Sequence, residues 1–364
     1  MNQRTRQLHD LGQSLWIDNI SRQTLRDGSL RKLIDEYSVT GLTSNPSIFE
    51  KAMGEGDAYD DAIARMTRDG RSTEDLFFAL AVDDLQQAAD LFAPIFEQTG
   101  GVDGWVSLEV SPELVNDTRG TIQAAASLHQ QAARRNLFIK IPGTPEGIPA
   151  IEESIYRGIP VNVTLLFSRE QYLAAAEAYM KGIERRLNDG KSPVVESVAS
   201  LFVSRWDTGA KDHVSDPYQN KLGIAVAMQS YKAYRDLLAS PRWQKLAEAG
   251  AHPQRLLFAS TGTKDPKASE TLYVEALGAP DTINTMPEKT LKAFAEKGTV
   301  GAPLPVDGGY ADQTVEEIRR EGVDIEGLAR TLQQEGGDAF KKSWSQLIGG
   351  LEEKVTKLTA TSPS

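Results

Sequence analysis

Short apolar runs recur along this chain, and nearly every run is followed by a longer stretch with apolar positions at helical spacing. The runs predict eight strands, at 14–18, 39–44, 104–110, 137–144, 161–167, 198–203, 255–260 and 281–286. Helices are predicted at 2–12, 58–67, 73–98, 111–135, 145–157, 169–188, 221–239, 242–249 and 287–297, with three more between about 300 and 357. Ser111 followed by Pro112 reads as a helix start, and Ser168 with Gln171 reads as a capping box. The segments 204–219 and 299–310 read as surface loops.

Strands that alternate with helices over nearly 300 residues fit a parallel α/β fold, a single (β/α)8 TIM barrel. The whole chain, 1–364, is expected to be one domain: a barrel over about 14–298, a short N-terminal helix, and a C-terminal helical extension over about 299–364. The competing architecture is a doubly wound open sheet, which advertises itself by a glycine-rich turn after its first strand. Here the first strand ends Asp18-Asn19-Ile20-Ser21, and no such turn occurs elsewhere in the sequence.

Side chains alternate faces along a strand. In the fourth strand Ile139 and Ile141 point one way, and Lys140 points the other way with Phe138. Taken alone, a lysine there is most simply a side chain reaching water near a strand tip. The same alternation on the other strands changes that reading. Asp18 shares a face with Trp16, Thr43 with Asn45, Glu109 with Ser107 and Trp105, and Asn162 with Thr164. Ser200 stands opposite Ala199 and Leu201, Ser260 closes the seventh strand, and Asn284 lies on the eighth. A purely structural barrel would fill its interior with branched aliphatic residues. The face that carries Lys140 is instead expected to line a polar cavity, with Trp16 and Trp105 as packing inside the barrel.

Composition narrows the chemistry. The net charge of -11 argues against nucleic acid and anionic membranes as partners. With no cysteine there is no disulfide, thiolate nucleophile or cysteine-held metal. The four histidines, His9, His129, His213 and His252, fall at no metal-ligand spacing, so no metal site is expected. No secretory or membrane-spanning segment is seen, which makes a cytoplasmic location the expectation.

The polar inventory suits imine chemistry. An amine among apolar walls is favoured in its neutral, nucleophilic form and can attack a ketone. Dehydration of the carbinolamine needs an acid, and cleavage of the neighbouring carbon–carbon bond needs a base. Two carboxylates in different surroundings divide those roles. Arg205 after the sixth strand and Lys264 after the seventh offer positive charge to an anionic substrate.

Several stretches resemble transaldolase, a cofactor-independent Schiff-base aldolase family. They are Gly41-Leu42-Thr43-Ser44-Asn45-Pro46-Ser47, Ser107-Leu108-Glu109-Val110, Phe138-Ile139-Lys140-Ile141-Pro142, Val161-Asn162-Val163-Thr164-Leu165-Leu166-Phe167-Ser168, Ser204-Arg205 and Thr282-Ile283-Asn284-Thr285-Met286-Pro287. The chain length and the turn Ala259-Ser260-Thr261-Gly262-Thr263-Lys264 look like the larger bacterial branch. The resemblance implies that Lys140 forms the Schiff base, Glu109 works through a water in imine formation and hydrolysis, and Asp18 moves the C4-hydroxyl proton. It implies that Thr164 positions the catalytic water, and that Thr43, Asn45 and Asn162 lie against the dihydroxyacetone unit. Ser200 and Arg205 would bind phosphate. Better-known members place an arginine after the seventh strand; this chain has none from Phe258 to Tyr273, and Lys264 takes that place.

The reaction implied moves a dihydroxyacetone unit from sedoheptulose 7-phosphate to glyceraldehyde 3-phosphate, giving erythrose 4-phosphate and fructose 6-phosphate, in the pentose phosphate pathway. No cofactor is implied, the partners are small sugar phosphates, and a monomer or a homodimer is expected. Some relatives are fused to a sugar-phosphate isomerase; with Ser364 as its last residue, this chain is expected to carry no second enzyme. Two alternatives stay open on the residues: an aldolase that releases free dihydroxyacetone, and a non-catalytic sugar-phosphate binding barrel.

Overall fold

The computed structural model describes residues 1–67 and 70–361. Eight strands, β1 (Gln13–Asp18), β2 (Val39–Thr43), β3 (Val106–Glu109), β4 (Leu137–Pro142), β5 (Val161–Leu166), β6 (Ser197–Phe202), β7 (Arg255–Ala259) and β8 (Thr282–Met286), form one sheet. Every pairing is parallel, in the order β2-β1-β8-β7-β6-β5-β4-β3. Two backbone hydrogen bonds cross from β2 to the segment leading into β3: Gly104 N to Thr40 O and Leu42 N to Trp105 O, both 2.9 Å. The sheet is therefore a nearly closed (β/α)8 TIM barrel.

The outward residues of the strands meet the helices as aliphatics. Leu108, Ile139, Ile141, Val161, Val163 and Leu201 are all fully buried there. Inside, Trp105 stacks on Phe138 with ring centroids 4.0 Å apart, and Trp16 lies 6.3 Å from the same ring. These three aromatics fill the middle of the barrel and separate its two ends. Gly41 is the residue that makes room for them: a Cβ there would lie 2.6 Å from the Trp16 indole and 2.8 Å from Trp105 O.

Four of the differences between the helices and the pattern bear on the site and its surroundings. Ser111 makes no side-chain cap bond; Pro112–Leu114 is a single 3-10 turn, and the helix proper is Thr118–Ala132. Its true cap is Asp117, which accepts from Gly120 N at 2.9 Å. The expected polar loop after β6 begins with a helix, Ser204–Ala210, so Arg205 stands on a helical turn. Helices Arg22–Arg26 and Ser29–Tyr37, which the pattern does not predict, lie between β1 and β2, the second burying Leu30 and Leu33. Buried Arg22 bonds Asp84 at 2.8 Å, and this pair ties the first of them to helix Thr73–Gln98.

The fourth difference is the largest. Among the described residues two helices, not three, follow residue 300: Ala311–Arg320 and Ile325–Thr361. The second has 37 residues and spans about 55 Å. Trp344 anchors it edge-on against Phe77 of helix Thr73–Gln98, at 4.9 Å between centroids. Gln333 Nε2 donates to Gly143 O at 3.0 Å and to Leu165 O at 2.9 Å, which binds the helix to the ends of β4 and β5. Among the described residues, no helix is long and apolar enough to cross a membrane, and no cluster of His, Asp and Glu is arranged to hold a metal ion.

Candidate active site

Strand register brings the charged groups together. Glu109 pairs with Lys140 across β3 and β4, and Lys140 pairs with Asn162 across β4 and β5. In-register residues of a parallel sheet share a face, so all three project into the barrel. On the far wall Asp18 pairs with Thr43 across β1 and β2. At the C-terminal end of the barrel lies a cavity of about 170 Å³, lined by Asp18, Thr43, Asn45, Lys140, Thr164, Ser200, Arg205 and Lys264 among others; Glu109 and Asn162 are not on its wall.

Lys140 Nζ lies 3.2 Å from Glu109 Oε2 and donates to Ser44 O at 3.0 Å. Both side chains of the pair are about 5 % exposed, so solvent screens their attraction little. Burial pushes the Glu109 carboxyl above its usual range, against the pull of the Lys140 ammonium. Asp18 is raised for the same reason, with Lys140, the Thr43 hydroxyl and the Lys264 charge opposing the rise. Thr43 Oγ1 sits 2.8 Å from Asp18 Oδ1 and 2.7 Å from Thr285 Oγ1, which fixes the carboxylate on the cavity wall. The site thus holds two carboxylates with raised proton affinity, both acting on the charge of one amine.

The amides and hydroxyls fall into two groups. Asn45 Oδ1 caps helix Pro46–Gly54 through Ile48 N at 3.1 Å, leaving its amide NH₂ for a ligand. Asn162 lies deeper, accepting from Ser200 Oγ at 2.7 Å and donating to Ser107 Oγ at 3.1 Å. Thr164 Oγ1 is buried and has no hydrogen-bond partner among the described residues. It is aimed by a bulge: the β5–β6 register shifts after Val163, and Leu165 takes φ +57°, a strained value for a branched side chain.

The cationic end of the cavity is formed by Arg205 and Lys264. The Arg205 guanidinium lies 5.3 Å over the Phe202 ring, and burial pulls its proton affinity down while Glu335 pushes it up. No hydrogen bond or ion pair of Arg205 occurs among the described residues. Lys264 is exposed at the rim, between this cavity and a smaller one of about 80 Å³ that includes Asp207 and Tyr273.

Two features depart from the sequence pattern. On β8 it is Thr285, in register with Trp16, that faces the cavity; Asn284 is in register with Leu15 and turns outward, where its Oδ1 accepts from Thr261 Oγ1 at 2.7 Å. Phe340 of the C-terminal helix also walls the cavity. It lies 200 residues from Lys140 in the chain, and no local pattern marks it.

Residues 15–351 match the family model described as Transaldolase/Fructose-6-phosphate aldolase. The chain belongs to the transaldolase/fructose-6-phosphate aldolase family and is an enzyme. A transaldolase of Thermobifida fusca (strain YX) is 44 % identical over 363 residues, covering 97 % of this chain and 98 % of that one. A transaldolase of Thiobacillus denitrificans is 43 % identical over 352 residues, covering 94 % and 98 %. One of an Arthrobacter species (strain FB24) is 43 % identical with 96 % of each chain covered. The matched segment runs from β1 into the C-terminal helix, so it takes in every wall of the cavity.

Proposed function

We propose that this enzyme is a transaldolase that transfers a dihydroxyacetone unit between sugar phosphates through a Schiff base on Lys140. The observation that carries the reading is a buried amine 3.2 Å from one carboxylate, with a second carboxylate on the same cavity. Lys140 Nζ, as the free amine, attacks the C2 carbonyl of the ketose donor, and Glu109, through a water, handles the protons of carbinolamine dehydration. Asp18 takes the proton of the C4 hydroxyl as the C3–C4 bond breaks. The aldehyde leaves, and the electron pair stays in an enamine on Lys140. The enamine carbon then attacks the acceptor aldehyde, Asp18 returns the proton to the new hydroxyl, and water releases the product ketose. A carboxylate whose affinity for protons is raised by burial is suited to this take-and-return role.

Thr164, with its unpartnered buried hydroxyl, would place the hydrolytic water. Thr43, Asn45 and Asn162 would hold the dihydroxyacetone unit. Ser200, Arg205 and Lys264 would bind the phosphate, Arg205 offering the planar fork and Lys264 a point charge. On this reading sedoheptulose 7-phosphate is the donor and glyceraldehyde 3-phosphate the acceptor, in the pentose phosphate pathway of the cytoplasm, with no cofactor. That the cavity is walled both by strands of the barrel and by Phe340 of the C-terminal segment supports reading the chain as one domain.

The family description names an aldolase beside the transferase, which keeps the release of free dihydroxyacetone as a second reading. Consumption of fructose 6-phosphate with and without erythrose 4-phosphate separates the two. Turnover that depends on the acceptor is expected; equal turnover without it would replace transfer by simple cleavage.

A further inference from the structure

We infer that Gly336, on the C-terminal helix, is a positioning residue for Arg205 and so tunes the preference for phosphorylated substrates. This rests on Arg205 as the phosphate ligand. Glycine is the poorest helix former after proline, yet Gly336 sits inside a continuous helix. A glycine kept there calls for a packing reason, and the surroundings supply it. A Cβ at 336 would lie 2.8 Å from Leu165 Cδ2 and 3.2 Å from Arg205 Nη1.

The helix has little freedom to retreat from such a contact. Three residues earlier Gln333 holds Gly143 O and Leu165 O, and four residues later Phe340 is seated against the cavity. All three positions share one face of the helix. The groups that yield are therefore the Leu165 methyl and the guanidinium. Arg205 has the Phe202 ring on one side and the Gly336 backbone close by Nη1, and no hydrogen bond or ion pair among the described residues fixes it. Packing, with the Glu335 charge nearby, sets where its N–H groups point. The next glycine is a natural control, because a Cβ at 337 would meet only Val115 Cγ2, at an ordinary 3.8 Å.

The test is steady-state kinetics on the full chain carrying Gly336→Ala, Gly337→Ala or Arg205→Ala, with the KM for fructose 6-phosphate and the Ki of inorganic phosphate as readouts. For Gly336→Ala both constants rise about tenfold, the order of one charge-assisted hydrogen bond. The effect falls on KM and Ki rather than on kcat, and the Tm does not drop, since alanine is the better helix former. Gly337→Ala leaves KM and Ki at the parent values. The proposal is overturned if Gly336→Ala leaves KM and Ki unchanged, or lowers Tm and kcat without moving them, or if both glycine variants behave alike. Should Gly336→Ala have no effect while Arg205→Ala raises both constants, only the positioning role fails. If Arg205→Ala itself leaves both unchanged, the phosphate assignment beneath it fails as well.

Discussion

At the N-terminal end of the barrel, Asp103 accepts from Ser14 Oγ, from Trp16 Nε1 at 2.8 Å and from Gly104 N at 3.0 Å. Arg255 there donates to Ser14 Oγ, Val102 O and Thr282 O at 2.8 to 3.0 Å. At the C-terminal end, Lys140 and Asp18 face a cavity, with Glu109 behind Lys140 at 3.2 Å, and Thr164 Oγ1 on its wall has no protein partner among the described residues. Both ends hold a cation and a buried carboxylate within one barrel, Arg255 half-buried and Lys140 buried, with Trp16, Trp105 and Phe138 between them. A buried charge is thus no sign of chemistry in itself. At one end the Asp103 and Arg255 side chains are held by protein partners; at the other, the unpartnered Thr164 hydroxyl and the Lys140 amine lie on a space that a substrate can enter.

The comparison breaks most sharply at Lys140. Lys140→Ala should lower turnover by at least about 10⁴-fold while the thermal transition stays cooperative, because the neighbouring Glu109 carboxyl is already biased toward its neutral form by burial. A rate assay beside calorimetry reads both. Asp18→Asn comes next, with kcat reduced about 10³-fold and no loss of stability. Burial raises the Asp18 proton affinity, so its favourable contribution to stability is present at low pH and is lost as pH rises through its folded-state value. The asparagine variant should gain in Tm over the parent as pH rises through that window. For the parent, the acid limb of kcat/KM should lie above the range of an exposed aspartate, near 3.9, because the base must be ionised.

Asp103→Ala is the counterpart at the filled end. It strands the Trp16 indole N–H, the Ser14 hydroxyl and the Gly104 amide. It should cost about 3 kcal/mol of unfolding free energy, read by denaturant melts, with kcat per folded molecule unchanged. The smallest effect is expected at Asp207, a carboxylate beside the cavity whose bonds are also filled, by Tyr273 Oη at 2.7 Å, Leu222 N at 2.9 Å and Gly223 N at 3.2 Å. Burial pushes it up to about 6. Its stability contribution is complete below the unfolded value near 3.9 and is lost as pH climbs through about 6. Asp207→Asn should flatten the fall of Tm across that interval.

The strands were legible because apolar runs bounded by polar turns have few alternatives; β5 and β7 each lie within one residue of the pattern. The inward set followed from alternation as far as alternation holds. It misled at Asn284, where β8 pairs with β1 so that Thr285 turns inward. Within the C-terminal helix the pairs Gly336-Gly337 and Gly349-Gly350 lower helix propensity. Anchors far away in sequence, Trp344 on Phe77 and Gln333 on β4 and β5, override that local cost. For the same reason Gln333, Gly336 and Phe340 were invisible as parts of the site: their partners are more than a hundred residues away.

The role of Lys140 is tested most directly by reducing the enzyme with borohydride in the presence of fructose 6-phosphate and mapping the adduct by peptide mass analysis. One dihydroxyacetone-derived mass on the peptide carrying Lys140, and none without the ketose, is the predicted result. Labelling of another lysine, or of none, would contradict the Schiff-base assignment.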